Sequence, residues 1–159
     1  MAAHGTITPA GIALKDVSHV SIAVTDMERS IAFYRDVFGW AQVFDEQMGG
    51  ENFEQLTGVP GAAGQACGGR IGSLRVELMD FNFLPKGPPG TGLGLRGLSM
   101  EVEDAAAAHS ALVARGVPVS GAPVEVHGVK MFFAIDPDGQ GIEMCEYVPG
   151  GPAWGGEYA

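Results

Sequence analysis

One histidine and two glutamates occupy places in this sequence where an internal repeat would gather them. The stretch "SHVSIAVTD" (18–26) recurs as "RGLSMEVED" (96–104), which aligns Ser21 with Ser99, Val24 with Val102 and Asp26 with Asp104, and sets His19 against Gly97. Farther on, "RVEL" (75–78) recurs as "GIEM" (141–144), so Glu77 aligns with Glu143. Two copies of one unit related by an approximate twofold axis would bring positions 19, 77, 97 and 143 together. One imidazole and two carboxylates form a mixed nitrogen and oxygen donor set whose negative charges neutralise a dication. Such a set suits Zn, Mn, Ni, Co or Fe better than Ca, which prefers oxygen alone. A carboxylate of the same group can also remove a proton beside a substrate carbonyl. Without a metal, the two carboxylates would divide the roles of acid and base between them. A lone strand histidine or glutamate is more often structural; the repeat-equivalent placement singles these three out.

The elements that must position them follow from pattern. Residues 17–25 alternate, with Val20, Ile22 and Val24 on one face and His19, Ser21 and Ala23 on the other, the period of a half-buried strand. Asp26 then caps a helix, "DMERSIAFYRDVFG", whose stripe is Met27, Ile31, Tyr34 and Phe38 and whose stop is Gly39. Residues 40–47 and 72–81 read as strands, the latter with Leu74, Val76 and Leu78 opposite Arg75, Glu77 and Met79. The Gly- and Pro-bearing segment 48–69 between them reads as a long loop with a short helix around Asn52–Leu56, able to act as a lid. After the linker "PKGPPGTGLG" the plan repeats: a strand at 95–103, a helix from Asp104 to Gly116, and a hairpin of Lys130–Ile135 with Gly141–Tyr147 turned by "DPDG". The expected organisation is an N-terminal arm (1–14), a first module (15–84), the linker (85–94), a second module (95–148) and a tail (149–159).

Composition narrows the classes. A chain of 159 residues with 46% hydrophobic and 18% charged residues supports one core of ordinary size. Nine basic against 19 acidic residues, with no basic cluster, argue against nucleic acid and anionic membranes as partners. Two cysteines are too few for a disulfide framework, and neither a leader-like start nor a long apolar run is present, so a cytoplasmic location is expected.

Other residues are candidates for contacting a small-molecule substrate. Arg75 shares the face of Glu77 and is placed to pair a carboxylate, Ser99 faces the same way as Glu143, and Tyr147 follows Glu143 at i+4 as a hydrogen-bond donor. His127 sits before the hairpin, and Phe53, in the 48–69 segment, offers an apolar wall. Arg96 has the opposite strand parity to Gly97, and His4, His109 and Cys145 read as uninvolved in chemistry.

"VSHVSIAVTDMERSIAFYRDVFGW", "RVELMDF", "SMEVED" and "FFAIDPDGQGIEMCEY" together resemble the vicinal oxygen chelate superfamily over about residues 15–148. That superfamily holds glyoxalase I, methylmalonyl-CoA epimerase, extradiol dioxygenases, and fosfomycin- and bleomycin-resistance proteins. The resemblance implies an α+β fold of two βαβββ modules forming a cup-shaped mixed sheet, in a homodimer. It also implies that His19, Glu77 and Glu143 match metal ligands, with Glu143 or Glu77 as the catalytic base. Members of the glyoxalase and epimerase branch usually add a histidine where this chain has Gly97. That departure counts against the dioxygenases and fosfomycin transferases, which use that histidine. The reading it leaves is a metal-dependent lyase or isomerase acting next to a carbonyl. The alternatives are a non-catalytic antibiotic-binding protein, a metal-free acid/base enzyme and a ring-cleaving dioxygenase.

Overall fold

The computed structural model describes residues 6–7, 13–14, 18–85, 97–126 and 128–149. His4, most of the linker, Arg96, His127 and the tail beyond 149 lie outside these. The chain divides into two compact units, one of residues 1–23 with 38–84, the other of residues 24–37 with 85–159.

The first unit begins with a short antiparallel ladder of β1 (Thr6–Ile7) and β2 (Ala13–Leu14). Strand β3 (Val20–Ala23) follows, and the chain then runs through helix α1 (Met27–Phe38), which belongs to the second unit up to residue 37. It returns as β4 (Ala41–Met48), α2 (Glu51–Thr57), β5 (Gly64–Ile71) and β6 (Leu74–Phe81). The sheet order is β3-β6-β5-β4, with β3 parallel to β6 and the other pairs antiparallel. Val76 and Leu78 are fully buried, which leaves Arg75 and Glu77 on the opposite face, as the alternation requires.

One expectation about this unit is corrected. Residues 64–69, read as loop, are strand: β5 pairs with β6 from Gly64 to Ile71 through a tight turn at Gly72 and Ser73. The sequence "GQACGG" lacks the β-branched residues that mark a strand, because bare backbone is needed there. A Cβ on Gly69 would run into the Trp40 ring, and one on Gly68 into the Phe44 ring. Trp40 is buried, and its indole Nε1 donates to Val76 O at 3.1 Å. The short helix expected in the segment is present as α2, with Phe53 buried against Phe81 at a ring separation of 5.2 Å and Val59 packed on the same cluster. The segment is therefore anchored helix and strand rather than one long loop.

The second unit repeats the arrangement. Strand β7 (Leu98–Glu101), helix α3 (Ala105–Ala114) and strands β8 (Val124–Val126), β9 (Val129–Ile135) and β10 (Gly141–Tyr147) give the order β7-β10-β9-β8, with β7 parallel to β10. The fold class is α+β, two four-stranded mixed sheets of the same strand order, as the repeat implies. Asp104 caps α3 by accepting from Ala107 N at 2.9 Å, and Gly116 ends it with a φ of 73°. No helix among the described residues is long and apolar enough to cross a membrane.

Helix α1 is fastened to the "DPDG" turn between β9 and β10. Asp136, 4% exposed, accepts from Asp138 N at 2.9 Å and Gln140 N at 2.8 Å through one oxygen, and from the Tyr34 hydroxyl at 3.0 Å through the other. Asp138 accepts from Thr25 N at 3.0 Å, from the Thr25 hydroxyl, and from Arg29 Nη2 at 2.8 Å. The helix thus buries Met27, Ser30 and Tyr34 rather than the predicted stripe alone; Ile31 and Phe38 are only half-buried. Burial, then the Asp136 charge, drives the Tyr34 phenol far above its usual range.

Removing that donor leaves a buried carboxylate oxygen short of a partner. Tyr34→Phe is expected to cost about 1–3 kcal/mol, read as a lower urea midpoint at unchanged slope. A second contact in this unit responds to pH. The Lys130 ammonium at 2.7 Å, and after it the Ala105 N–H at 2.9 Å, hold the Glu146 carboxyl below the usual glutamate range. A depressed carboxyl pKa contributes stability that is complete above the unfolded value and lost as pH falls through the folded one. Glu146→Gln should therefore flatten the loss of thermal midpoint on acidification below about pH 4.5, where unfolded glutamates begin to protonate. An identical acid profile in the variant would refute that assignment.

Candidate functional site

Strands β3 and β6 run parallel with Ser21 opposite Glu77, and β7 and β10 run parallel with Ser99 opposite Glu143. In each unit the serine hydroxyl donates to the glutamate: Ser21 Oγ to Glu77 Oε2 at 3.0 Å, and Ser99 Oγ to Glu143 Oε2 at 2.6 Å. The serine and glutamate matches read from the repeat are thus one register pair made twice.

His19 stands just before β3 on the same face, with Nε2 3.6 Å from Glu77 Oε2. Its Nδ1 lies 2.9 Å from Ser18 Oγ. In the tautomer whose Nδ1–H donates to Ser18, Nε2 presents a lone pair on the carboxylate side, the state a metal ligand needs. The separation of 3.6 Å is close to the ~3.4 Å between neighbouring ligands of a tetrahedral ion with bonds of about 2.0–2.1 Å. His19 and Glu77 therefore fit as two ligands of one cation. Among the described residues, no group of three or more His, Cys, Asp or Glu side chains is gathered as a metal site.

A cavity of about 250 Å³ opens in the first unit over this face, lined among others by His19, Phe44, Arg70, Arg75 and Glu77. Arg75 donates from Nη1 to Ser18 O at 2.9 Å, linking the cavity wall to the residue that holds His19. The Phe44 ring, 40% exposed, lies over the bare backbone of Gly68, which pairs with Glu77.

Of the other predicted contacts, Tyr147 is half-buried at the end of β10, its phenol pushed up first by the Cys145 thiol. Cys145 is buried and donates to Met100 O at 3.4 Å, a packing role. Phe53 belongs to the aromatic cluster of α2 and is not in the cavity wall. His109 sits edge-on to Phe132 at 5.2 Å. His127 lies outside the described residues. The residues that pattern-reading missed are Ser21 as a partner of Glu77, Phe44, and Arg70. The signal for Arg70 was in the sequence: treating "RIGSLR" as a hairpin places Arg70 opposite Arg75.

A profile of the Glyoxalase/Bleomycin resistance protein/Dioxygenase superfamily matches residues 16–144. The uncharacterized protein YaeR of Escherichia coli (strain K12) is 31% identical over 137 residues, spanning 85% of this chain and 98% of that protein. A glyoxalase family protein from Bacillus cereus superposes with a TM-score of 0.73 at 22% identity, over 89% of this chain and 100% of that one. The fosfomycin resistance protein FosX from Listeria monocytogenes does so with a TM-score of 0.58 at 14% identity, over 84% and 96% of the two chains.

Glycine positions give a contrast that tests this geometry. Among the described residues, a Cβ on Gly97 would meet only Gly141 O, at 4.0 Å, whereas one on Gly69 would strike the buried Trp40 indole. Gly97→His should keep the unfolding free energy, read by urea titration, within about 0.5 kcal/mol of the parent. Gly69→Ala should cost about 1–3 kcal/mol through overpacking. Equal losses in the two variants would contradict the packing described.

Proposed function

The chain belongs to the Glyoxalase/Bleomycin resistance protein/Dioxygenase superfamily, and from that premise we propose that it is a glyoxalase- or epimerase-like lyase or isomerase that removes a proton next to the carbonyl of a small molecule. The observation that carries this reading is the twice-made serine–glutamate pair, one copy of which has His19 beside it.

Each serine donates to one carboxylate oxygen and so fixes the plane of the group, leaving the other oxygen to meet a substrate proton. Glu143 is the base in this reading, because Oε2 of Glu77 is already faced by both Ser21 and His19. His19, Glu77 and Glu143 would hold a divalent cation, with open positions left for substrate oxygens. Such a cation, when bound, supplies stabilisation of the negative charge that proton removal leaves on the substrate oxygen. The same reading includes a homodimer, the arrangement implied by the resemblance, in the cytoplasm that the cysteine usage suggests.

A binding protein without catalysis is the second reading, favoured by the apolar wall that Val43 and Phe44 give the first-unit cavity. Metal analysis of protein purified without chelator separates the two. Near-stoichiometric Zn, Mn, Ni or Co supports the lyase or isomerase and iron a ring-cleaving dioxygenase, while a metal-free protein favours binding or unaided acid/base chemistry. His19→Ala and Glu143→Ala are each expected to cut bound metal at least tenfold. Retention of the metal by both variants would refute the proposed ligand set.

A further inference from the structure

Arg70 and Arg75 face each other directly across the β5–β6 hairpin, and both line the 250 Å³ cavity. Directly opposed residues of an antiparallel pair project from the same face, and like charges so placed are destabilising. The arrangement is conspicuous in a chain with 19 acidic and only 9 basic residues, where acidic partners are abundant.

The other described cations have protein partners. Arg29 pairs with Asp138, Arg35 with Asp36 and Lys130 with Glu146, while Arg115 donates to Asp36 O and Arg75 to Ser18 O. Arg70 makes no hydrogen bond or ion pair with the described residues, and it points into the cavity that holds His19 and Glu77. A guanidinium offers a planar fork of donors that matches two oxygens of a carboxylate or phosphate.

The rest of the wall limits what accompanies the anion. Val43, 69% exposed, and the Phe44 ring above Gly68 form an apolar flank. Glu77 is two residues beyond Arg75 on the same face, about 6–7 Å along the strand. A volume near 250 Å³ is below the usual ~300–1,000 Å³ of ligand pockets, so the occupant is small.

We propose that this cavity binds a small organic anion, its carboxylate or phosphate group taken by Arg70 and Arg75 and its apolar body resting on Phe44 and Val43. This rests on the reading of the cavity as the substrate site, and it names the class of substrate: one whose reacting carbon lies a few bonds from its anionic group, within reach of Glu77 and His19.

The test uses hexanoate, hexyl phosphate and the neutral hexanamide as probes, titrated calorimetrically into the full chain before and after chelator treatment. At least one of the anions should bind tenfold or more tightly than hexanamide, and the tighter anion identifies the headgroup. Arg70→Gln should abolish the preference without lowering the thermal midpoint, since it also relieves the opposed charges, and Arg70→Lys should restore part of it. Arg35→Gln, on an exposed face of α1, should leave it unchanged. Equal binding of hexanamide, no binding of either anion, or an undiminished preference in Arg70→Gln would each overturn the proposal. If the parent chain shows no preference while it retains bound metal, this inference fails alone; if the parent shows the preference but never carries metal, the metal-dependent reading fails alone.

Discussion

In both halves of the molecule the first strand lies parallel to the last, β3 to β6 and β7 to β10. A parallel pair cannot be closed by a tight turn; the chain must leave the sheet, cross over and return. Here it does so through a helix and two further strands, with the short α2 added in the first half. The crossover fixes which residues meet: Ser21 opposite Glu77 and Ser99 opposite Glu143. Because side chains alternate along a strand, a slip of one residue would turn either glutamate onto the apolar face. The buried Val76 and Leu78 beside Glu77, and Ile142 and Met144 beside Glu143, oppose such a slip. Hydrophobic patterning on one face therefore sets the polar register on the other.

The helix that makes the first crossover must itself be held, and a buried charge does this. Asp136 closes its own turn with one oxygen and receives Tyr34 with the other, while Asp138 takes the start of α1 through Thr25 and Arg29. A carboxylate that is 4% exposed is tolerable only when it is well hydrogen-bonded, and three donors reach its two oxygens. Ser30, on the buried side of the same helix, shows the opposite condition: its hydroxyl is fully buried with no partner among the described residues.

Much of this was legible in the sequence, because the repeat carries information that single segments lack. Alternation at 17–25 and 72–81, the Asp caps at 26 and 104 and the "DPDG" hairpin were readable from period and turn chemistry, and the matched Ser and Glu positions came from laying the two copies together. Strand β5 was not readable, for a physical reason. Its glycines at 68 and 69 serve the aromatic rings that lie on them, so tertiary packing suppresses the local β signal. Missing that strand hid the hairpin, and with the hairpin went the pairing of Arg70 with Arg75. The burial of Phe53 was hidden similarly: an apolar residue in a Gly-rich segment reads alike whether it faces a ligand or a neighbouring ring.

The two serine–glutamate pairs are equivalent in register and unlike in surroundings. Beside Glu77 are an imidazole and a guanidinium, and the residue opposite it on β5 is Gly68, over which Phe44 folds. The residue opposite Glu143 on β9 is Phe133, 40% exposed, and the counterparts of His19 and Arg75 are Gly97 and Gly141. A Cβ on Gly141 would come within 3.1 Å of the Phe133 ring, so that glycine is favoured by its neighbour, whereas a Cβ on Gly97 would approach nothing among the described residues nearer than Gly141 O at 4.0 Å. One copy of the unit thus keeps nitrogen donors and cations around its carboxylate, and the other keeps apolar surface and room. Repetition supplies a pair of carboxylates held in the same way; divergence of the residues around them gives one charged neighbours and the other apolar ones.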